Sequence, residues 1–262
     1  LINAEIVYSG LMNFFINIFE IDIIAIIFMS VFLGAIIKGA VGIGMSMFSV
    51  PIIAFFLPPT TAMILLCVPV LITNILQMQI KKGVGSYRFL PMFIALIFGI
   101  IIGCNLILEI NLSTISQIIA VSIIFAAIIN LFGINIKYIN PNLERKLTIP
   151  LGFFSGIIGG LSSMYSPYIL AYLVSTNLEK EALIRTMATM YFIGSIFIFP
   201  IWIYNGLGTL NDLIWSCLLL FPAILGQKIG TGIRSKISNE NFKKIILYTL
   251  MIIGISLLIK NI

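Results

Sequence analysis

The chain alternates between long apolar runs and short polar cuts. The runs lie at about 23–57, 58–80, 88–108, 113–136, 147–175, 182–204, 211–233 and 242–260. The cuts read PPTT, KKGVGSYR, EINLS, KYINPNLERK, TNLEKE, NGLGTLND and RSKISNENFKK. Most runs have the length of a helix that crosses a bilayer, about 20 apolar residues. Two do not fit. The first, about 35 residues, would reach roughly 50 Å as one helix, against a hydrocarbon core of roughly 30 Å. It is also broken near its middle, at IIKGAVGIGMSMFSVP, residues 36–51. The fifth is long as well and is broken by GGLSSMYSP. A long broken run followed by three ordinary ones thus occurs twice, on either side of KYINPNLERK. The pattern predicts one membrane domain over 1–262, built from repeats 22–136 and 147–262. The opening stretch LINAEIVYSGLMNFFINIFE lacks the basic lead of a signal peptide. An interfacial segment is expected over 1–21.

Composition agrees with this reading. The chain is 60% hydrophobic and 9% charged, where a soluble domain carries about 25% charge. Too few charges remain to cover a water-facing surface, so this is an integral membrane protein. The runs are helix-length and not short alternating strands, which selects a helical bundle over a barrel. The net charge of +6 comes without a basic stripe interleaved with aromatics, so it speaks for topology and against a nucleic-acid partner. There is no histidine, and Cys67, Cys104 and Cys217 sit in apolar runs without metal-ligand spacing. No metal, cofactor or enzymatic acid–base centre is expected.

Loop charge decides the topology. If each broken run crosses once, the basic cut RSKISNENFKK falls outside, against the positive-inside tendency. If each goes in and comes back as a re-entrant hairpin of two short helices, all the basic cuts fall inside. Outside are then Glu5, Glu20, Asp22, Glu109 and Asp212, with Lys260 the basic exception. Each half now makes five passes, an odd number, so consecutive halves are inverted. The expected fold is an all-α polytopic membrane protein of two inverted repeats. Each is a broken or re-entrant helical hairpin plus three transmembrane helices, about eight to ten membrane segments in all. Such repeats place their substrate where the broken helices meet.

The breaks carry the candidate chemistry. Irregular backbone at membrane depth occurs where it is buried or lines a cavity. Gly39, Gly42 and Gly44 let the chain turn and let a ligand approach the backbone. The short helices that follow aim N–H groups at the gap, and Ser46, Ser162, Ser163 and Ser166 add hydroxyls. Lys38 adds a full positive charge, so the site is written for an anion. A lysine snorkelling to the cytoplasmic face is the plainer alternative for Lys38, and close helix packing is the plainer one for the glycines. Asn74 and Gln77 share a helix face. Asn105 and Gln227 are expected to bond between helices, and Arg185 to act either as an inside anchor or as a site cation. All nine acidic residues lie in loops or at run ends, which leaves no midplane carboxylate for proton or sodium coupling. The membrane potential alone drives a negative charge outward, by roughly 2.3 kcal/mol per 100 mV.

Several stretches together resemble a known family. GAIIKGAVGIGMSMFSVPIIAFFLPPTTA, VPVLITNILQ, GFFSGIIGGLSSMYSPYILAYLVSTNLEKEALIRTMATMYF and LLFPAILGQKIGTGI follow one another in the order and spacing of the sulfite exporter TauE/SafE family, over about residues 22–260. The resemblance implies a multi-pass permease of the bacterial inner membrane for sulfite, organosulfonates or related small organic acids, most simply an exporter. An uptake permease or channel on the same scaffold is the alternative. The expected surroundings are a small anionic substrate and the lipid bilayer, and a homodimer is admissible. Lys38, Gly39, Gly42, Gly44, Asn74, Gln77, Pro167, Tyr172 and Arg185 match motif positions. Many members have three consecutive glycines where this chain has GIGMS, and glycines where it has SSMYS.

Overall fold

The computed structural model describes residues 21–78, 87–111, 113–115, 117–118, 120–121, 124, 141–165, 169–170, 172–173, 176 and 178–234. The expected interfacial segment and the runs 113–136 and 242–260 lie wholly or largely outside these. The described residues contain helices and no strand. The helices are α1 (Ile21–Val41), α2 (Met45–Ala54), α3 (Pro59–Leu65), α4 (Cys67–Met78), α5 (Leu90–Leu106), α6 (Pro141–Ser162), α7 (Lys180–Tyr204) and α8 (Leu210–Ile233). The stretches Asp22–Ala40, Leu90–Glu109, Ala182–Tyr204 and Leu210–Ile233 are long and apolar enough to cross a membrane, and α3 with α4, bent by about 40°, makes a fifth candidate.

The first broken run differs from the expected pair of short helices. Gly34 and Gly39 stay helical, so α1 is 21 residues long and only the return helix α2, with 10, is short. The turn is made by Gly42 and Gly44, at φ 101° and 115°, a region that side chains other than glycine's disfavour. From there α2 runs back along α1. A Cβ added at Gly34 would lie 2.4 Å from Ser49 Oγ, and that hydroxyl donates to Ser30 O at 2.9 Å. The second break comes where α6 ends, at Ser162, and Ser163 follows at φ 62°. α6 starts before the apolar run does, so its first turn carries the polar residues of PNLERK.

Two seams of small residues hold the bundle. A Cβ on Gly226 would lie 2.3 Å from Phe32 O, and one on Gly230 2.1 Å from Ile36 O. Glycines four apart on α8 therefore bring its backbone directly onto α1, in the same direction. The second seam repeats the arrangement. Gly152, Gly156 and Gly160 of α6 press on Met92 O, Leu96 O and Ile100 O of α5, again in parallel. In a bilayer, where apolar side chains gain little by leaving lipid, such backbone contact and its dispersion energy are what associate helices. α7 begins with Ile184 against Gly42 and ends with Asn205 Nδ2 donating to Cys104 O at 3.2 Å, so it runs with α5 and opposite to α1. These directions put Arg88, Lys146, Arg185 and Arg234 at one end of the bundle. Asp22, Glu109 and Asp212 lie at the other.

The ends are pinned by polar contacts. Arg88 donates two hydrogen bonds to the buried Glu144 carboxylate, which joins the start of α5 to the start of α6. α8 opens with a capping box: Asp212 N donates to Thr209 Oγ1 at 3.2 Å, and Thr209 N to Asp212 Oδ2 at 2.8 Å. Thr209→Ala is expected to lower stability by about 1 kcal/mol in detergent unfolding. Of the isolated span amides, Gln227 bonds between helices as expected. Asn105 does not: its Nδ2 donates to Ile101 O one turn back, at 2.7 Å on an exposed face.

Candidate functional site

Lys38 lies in the last turn of α1 and is buried, with 4% of its surface exposed. That number excludes snorkelling. Its ammonium donates to Thr73 Oγ1 at 2.9 Å and to Asn74 Oδ1 at 2.7 Å, both on α4. The two acceptors are held in place from behind. Thr73 Oγ1 donates to Pro69 O at 2.5 Å, and Asn74 Nδ2 to Val70 O at 2.7 Å, which turns Oδ1 toward the lysine. One turn on, Gln77 Nε2 donates to Gly42 O at 2.6 Å. One face of α4 thus grips the end of α1 and the break that follows. Both groups that accept from Lys38 are neutral, and the ion pair found among the described residues, Arg88 with Glu144, lies elsewhere.

A crevice of about 10 Å³ opens beside the ammonium, lined by Lys38, Gly42, Ile43, Gly44, Met45, Ser46, Val70 and Tyr191. That is room for roughly one water molecule, so an oxyanion enters only when these walls part. Met45 and Ser46 are the first residues of α2, whose N-terminus has no side-chain cap. A much larger cavity of about 480 Å³ lies at the opposite end of α1, among Ile24, Phe28, Leu57, Thr61, Asp212 and Trp215. It is mostly apolar, and its charged group is a carboxylate with no cation beside it in the lining.

The second break faces the first across Tyr191. Tyr165, just past α6, donates from its hydroxyl to Tyr191 O at 3.0 Å, and the two rings lie 4.5 Å apart. Tyr191 also lines the Lys38 crevice. Ser162 Oγ bonds within its own break, donating to Ile158 O at 2.7 Å and accepting from Met164 N at 3.2 Å.

A family model described as Sulfite exporter TauE/SafE matches residues 26–257 of the chain. The chain belongs to this family. No curated protein and no solved structure matches it. As a TauE/SafE protein it is a multi-pass membrane transporter, and its family is one of sulfite and anion exporters.

Of the residues singled out in this TauE/SafE sequence, the structure gathers Lys38, Gly42, Gly44, Ser46, Asn74 and Gln77 around one crevice. Gly39 faces the other way. A Cβ there would lie 2.3 Å from Gln227 O, so it belongs to the seam with α8, and its carbonyl accepts from Arg234 Nη2 at 2.8 Å. Tyr172 shares a hydrogen bond of 2.7 Å with Thr148 Oγ1 near the start of α6, away from the crevice. Arg185 is half-buried on α7, next to the Ile184 that covers Gly42. Ser162 and Ser163 sit at the second break, while Ser166 and Pro167 lie outside the described residues. Thr73 was not legible as a site residue, though it adjoins Asn74 on the gripping face. Gln227, which donates to Thr73 O at 2.9 Å, was read only as an interhelical bond.

Proposed function

We propose that this chain exports small oxyanions (sulfite, organosulfonates or small organic acids) and holds them at Lys38 beside the first break. The observation that carries this reading is a buried ammonium whose partners are all neutral. A buried charge without an ionic partner is unfavourable, and a bound anion relieves it. The uncapped start of α2 and the Ser46 hydroxyl supply further donors at the same crevice. Gly42 and Gly44 let the backbone reach the ligand. The setting that the resemblance implies is a bacterial inner membrane, with the basic end of the bundle in the cytoplasm.

Inverted halves, 22–136 and 147–262 of one domain, are part of the proposal. Three features support them. Gly42 N donates to Lys38 O at 2.7 Å, and Ser163 N to Gly159 O at 2.7 Å, so both long helices end on the same bond four residues back. The helix that opens each half packs on the helix of the other half's third apolar run, α1 on α8 and α6 on α5. The second helices, α4 and α7, pack on each other.

Sulfite flux in proteoliposomes under an imposed potential tests the reading. Flux should saturate and rise as the potential drives anions out of the compartment that faces the basic end. Saturable flux indifferent to voltage overturns electrogenic export. Flux that never saturates favours a channel.

A further inference from the structure

Two buried acceptors have nothing to accept from, and one of them adjoins this site. Gln77 Oε1 and Gln227 Oε1 are enclosed and without a hydrogen-bond partner, and no other side-chain nitrogen or oxygen among the described residues is in that state. Both residues are more than nine-tenths buried, with 6% and 7% of their surface exposed. Neither amide can be turned over. Each Nε2 already donates to a main-chain carbonyl, Gly42 O at 2.6 Å and Thr73 O at 2.9 Å, and the flipped amide would set oxygen against oxygen. The Gln77 amide lies against Gly42, part of the crevice wall. Gln227 lies behind Thr73, on the α8 side that Gly39 faces, and its oxygen is not part of the crevice. An enclosed acceptor without a donor is destabilising, and sites that keep one gain it back from a ligand.

The site therefore offers donors, from Lys38 and the start of α2, and beside them one acceptor, from Gln77. We infer that the anion taken here carries a hydrogen-bond donor of its own, an oxyanion bearing one O–H or N–H. Hydrogensulfite fits this description and the sulfite dianion does not. A hydroxyalkane- or aminoalkanesulfonate fits, and a plain alkanesulfonate does not. The inference rests on the anion site proposed above. A coupling cation is the competing occupant of that oxygen. It would sit beside the Lys38 charge, and the nearby Gly42 carbonyl that could help ligate it already accepts from the Gln77 amide.

Two ligand pairs matched in charge and nearly in size decide the matter by calorimetry on purified protein: 2-hydroxyethanesulfonate against ethanesulfonate, and glycolate against acetate. The donor-bearing member of at least one pair should bind roughly tenfold tighter or more. In Gln77→Met that ratio should fall to near one. If both pairs bind alike in the wild type, Gln77 is idle or satisfied by water; the donor inference fails and the anion site stands. If sulfite and all four ligands fail to bind, the anion site fails with it. Should Gln77→Met not fold, the wild-type comparison is decisive by itself.

Discussion

Lys38→Ala should abolish measurable anion binding and leave the fold intact. Truncating one partner of a desolvated charge contact costs about 2–5 kcal/mol of binding, so the affinity for sulfite should fall by at least about thirtyfold. The folded state has less to lose. Thr73 Oγ1 and Asn74 Oδ1 each lose a donor, but Thr73 Oγ1 keeps its bond to Pro69 O and Asn74 Nδ2 its bond to Val70 O, so both side chains stay anchored. Against that, a buried charge disappears, and removing such charges is often neutral or stabilising. Lys38→Met, which also fills the space, should unfold at or above the wild-type temperature and still not bind. Lys38→Arg should bind poorly, because a planar fork does not fit two acceptors arranged around a compact ammonium. Calorimetry with sulfite beside thermal unfolding in detergent separates the outcomes. Unchanged affinity in Lys38→Ala would make the lysine a structural tie between α1 and α4.

The largest loss of stability is expected on the α5–α6 seam. A Cβ on Gly99 would lie 2.1 Å from Phe153 O, 2.9 Å from Ile157 N and 3.0 Å from Gly156 Cα. All three are backbone atoms, which have no rotamer to change, so the helices must part. Gly99→Leu should cost about 3 kcal/mol, at the top of the usual range for overpacking, and should show as lost folded yield in detergent. Gly232→Ala is the control. Nothing lies within 4 Å of its added Cβ, and stability should hold or rise slightly. If Gly99→Leu unfolds like the wild type, backbone contact is not what joins α5 to α6.

The apolar runs at 88–108, 182–204 and 211–233 correspond to α5, α7 and α8, because twenty apolar residues have one good solution in lipid. The breaks were also legible, since glycine and serine clusters interrupt runs too long for one crossing. Their shape was not. Gly39 reads like a hinge but stays helical, and the letter G does not say whether a ligand or a neighbouring helix needs the space. Asn74 and Gln77 stood out as amides in an apolar run. Thr73 did not, because a threonine in a helix satisfies itself with the carbonyl one turn back. The depth of Lys38 could be counted along the chain, but its direction around the helix could not, and direction decides between lipid surface and interior. Asn105 shows the converse, a polar residue whose own helix was partner enough.

The glycine seams also bear on how the protein can move. α1 and α8 touch backbone to backbone, as do α5 and α6, and each pair joins helices far apart in sequence. Interfaces so close do not slide by small steps. They behave as rigid bodies, each made of two helices. A motion that parts the crevice walls then shifts α4 or α7 against the α1–α8 body, because Val70 and Tyr191 form the wall opposite Lys38. That body is not a stretch of sequence but a splice of an early helix with a late one, and a cross-link within its seam should leave transport intact where one between α1 and α4 arrests it.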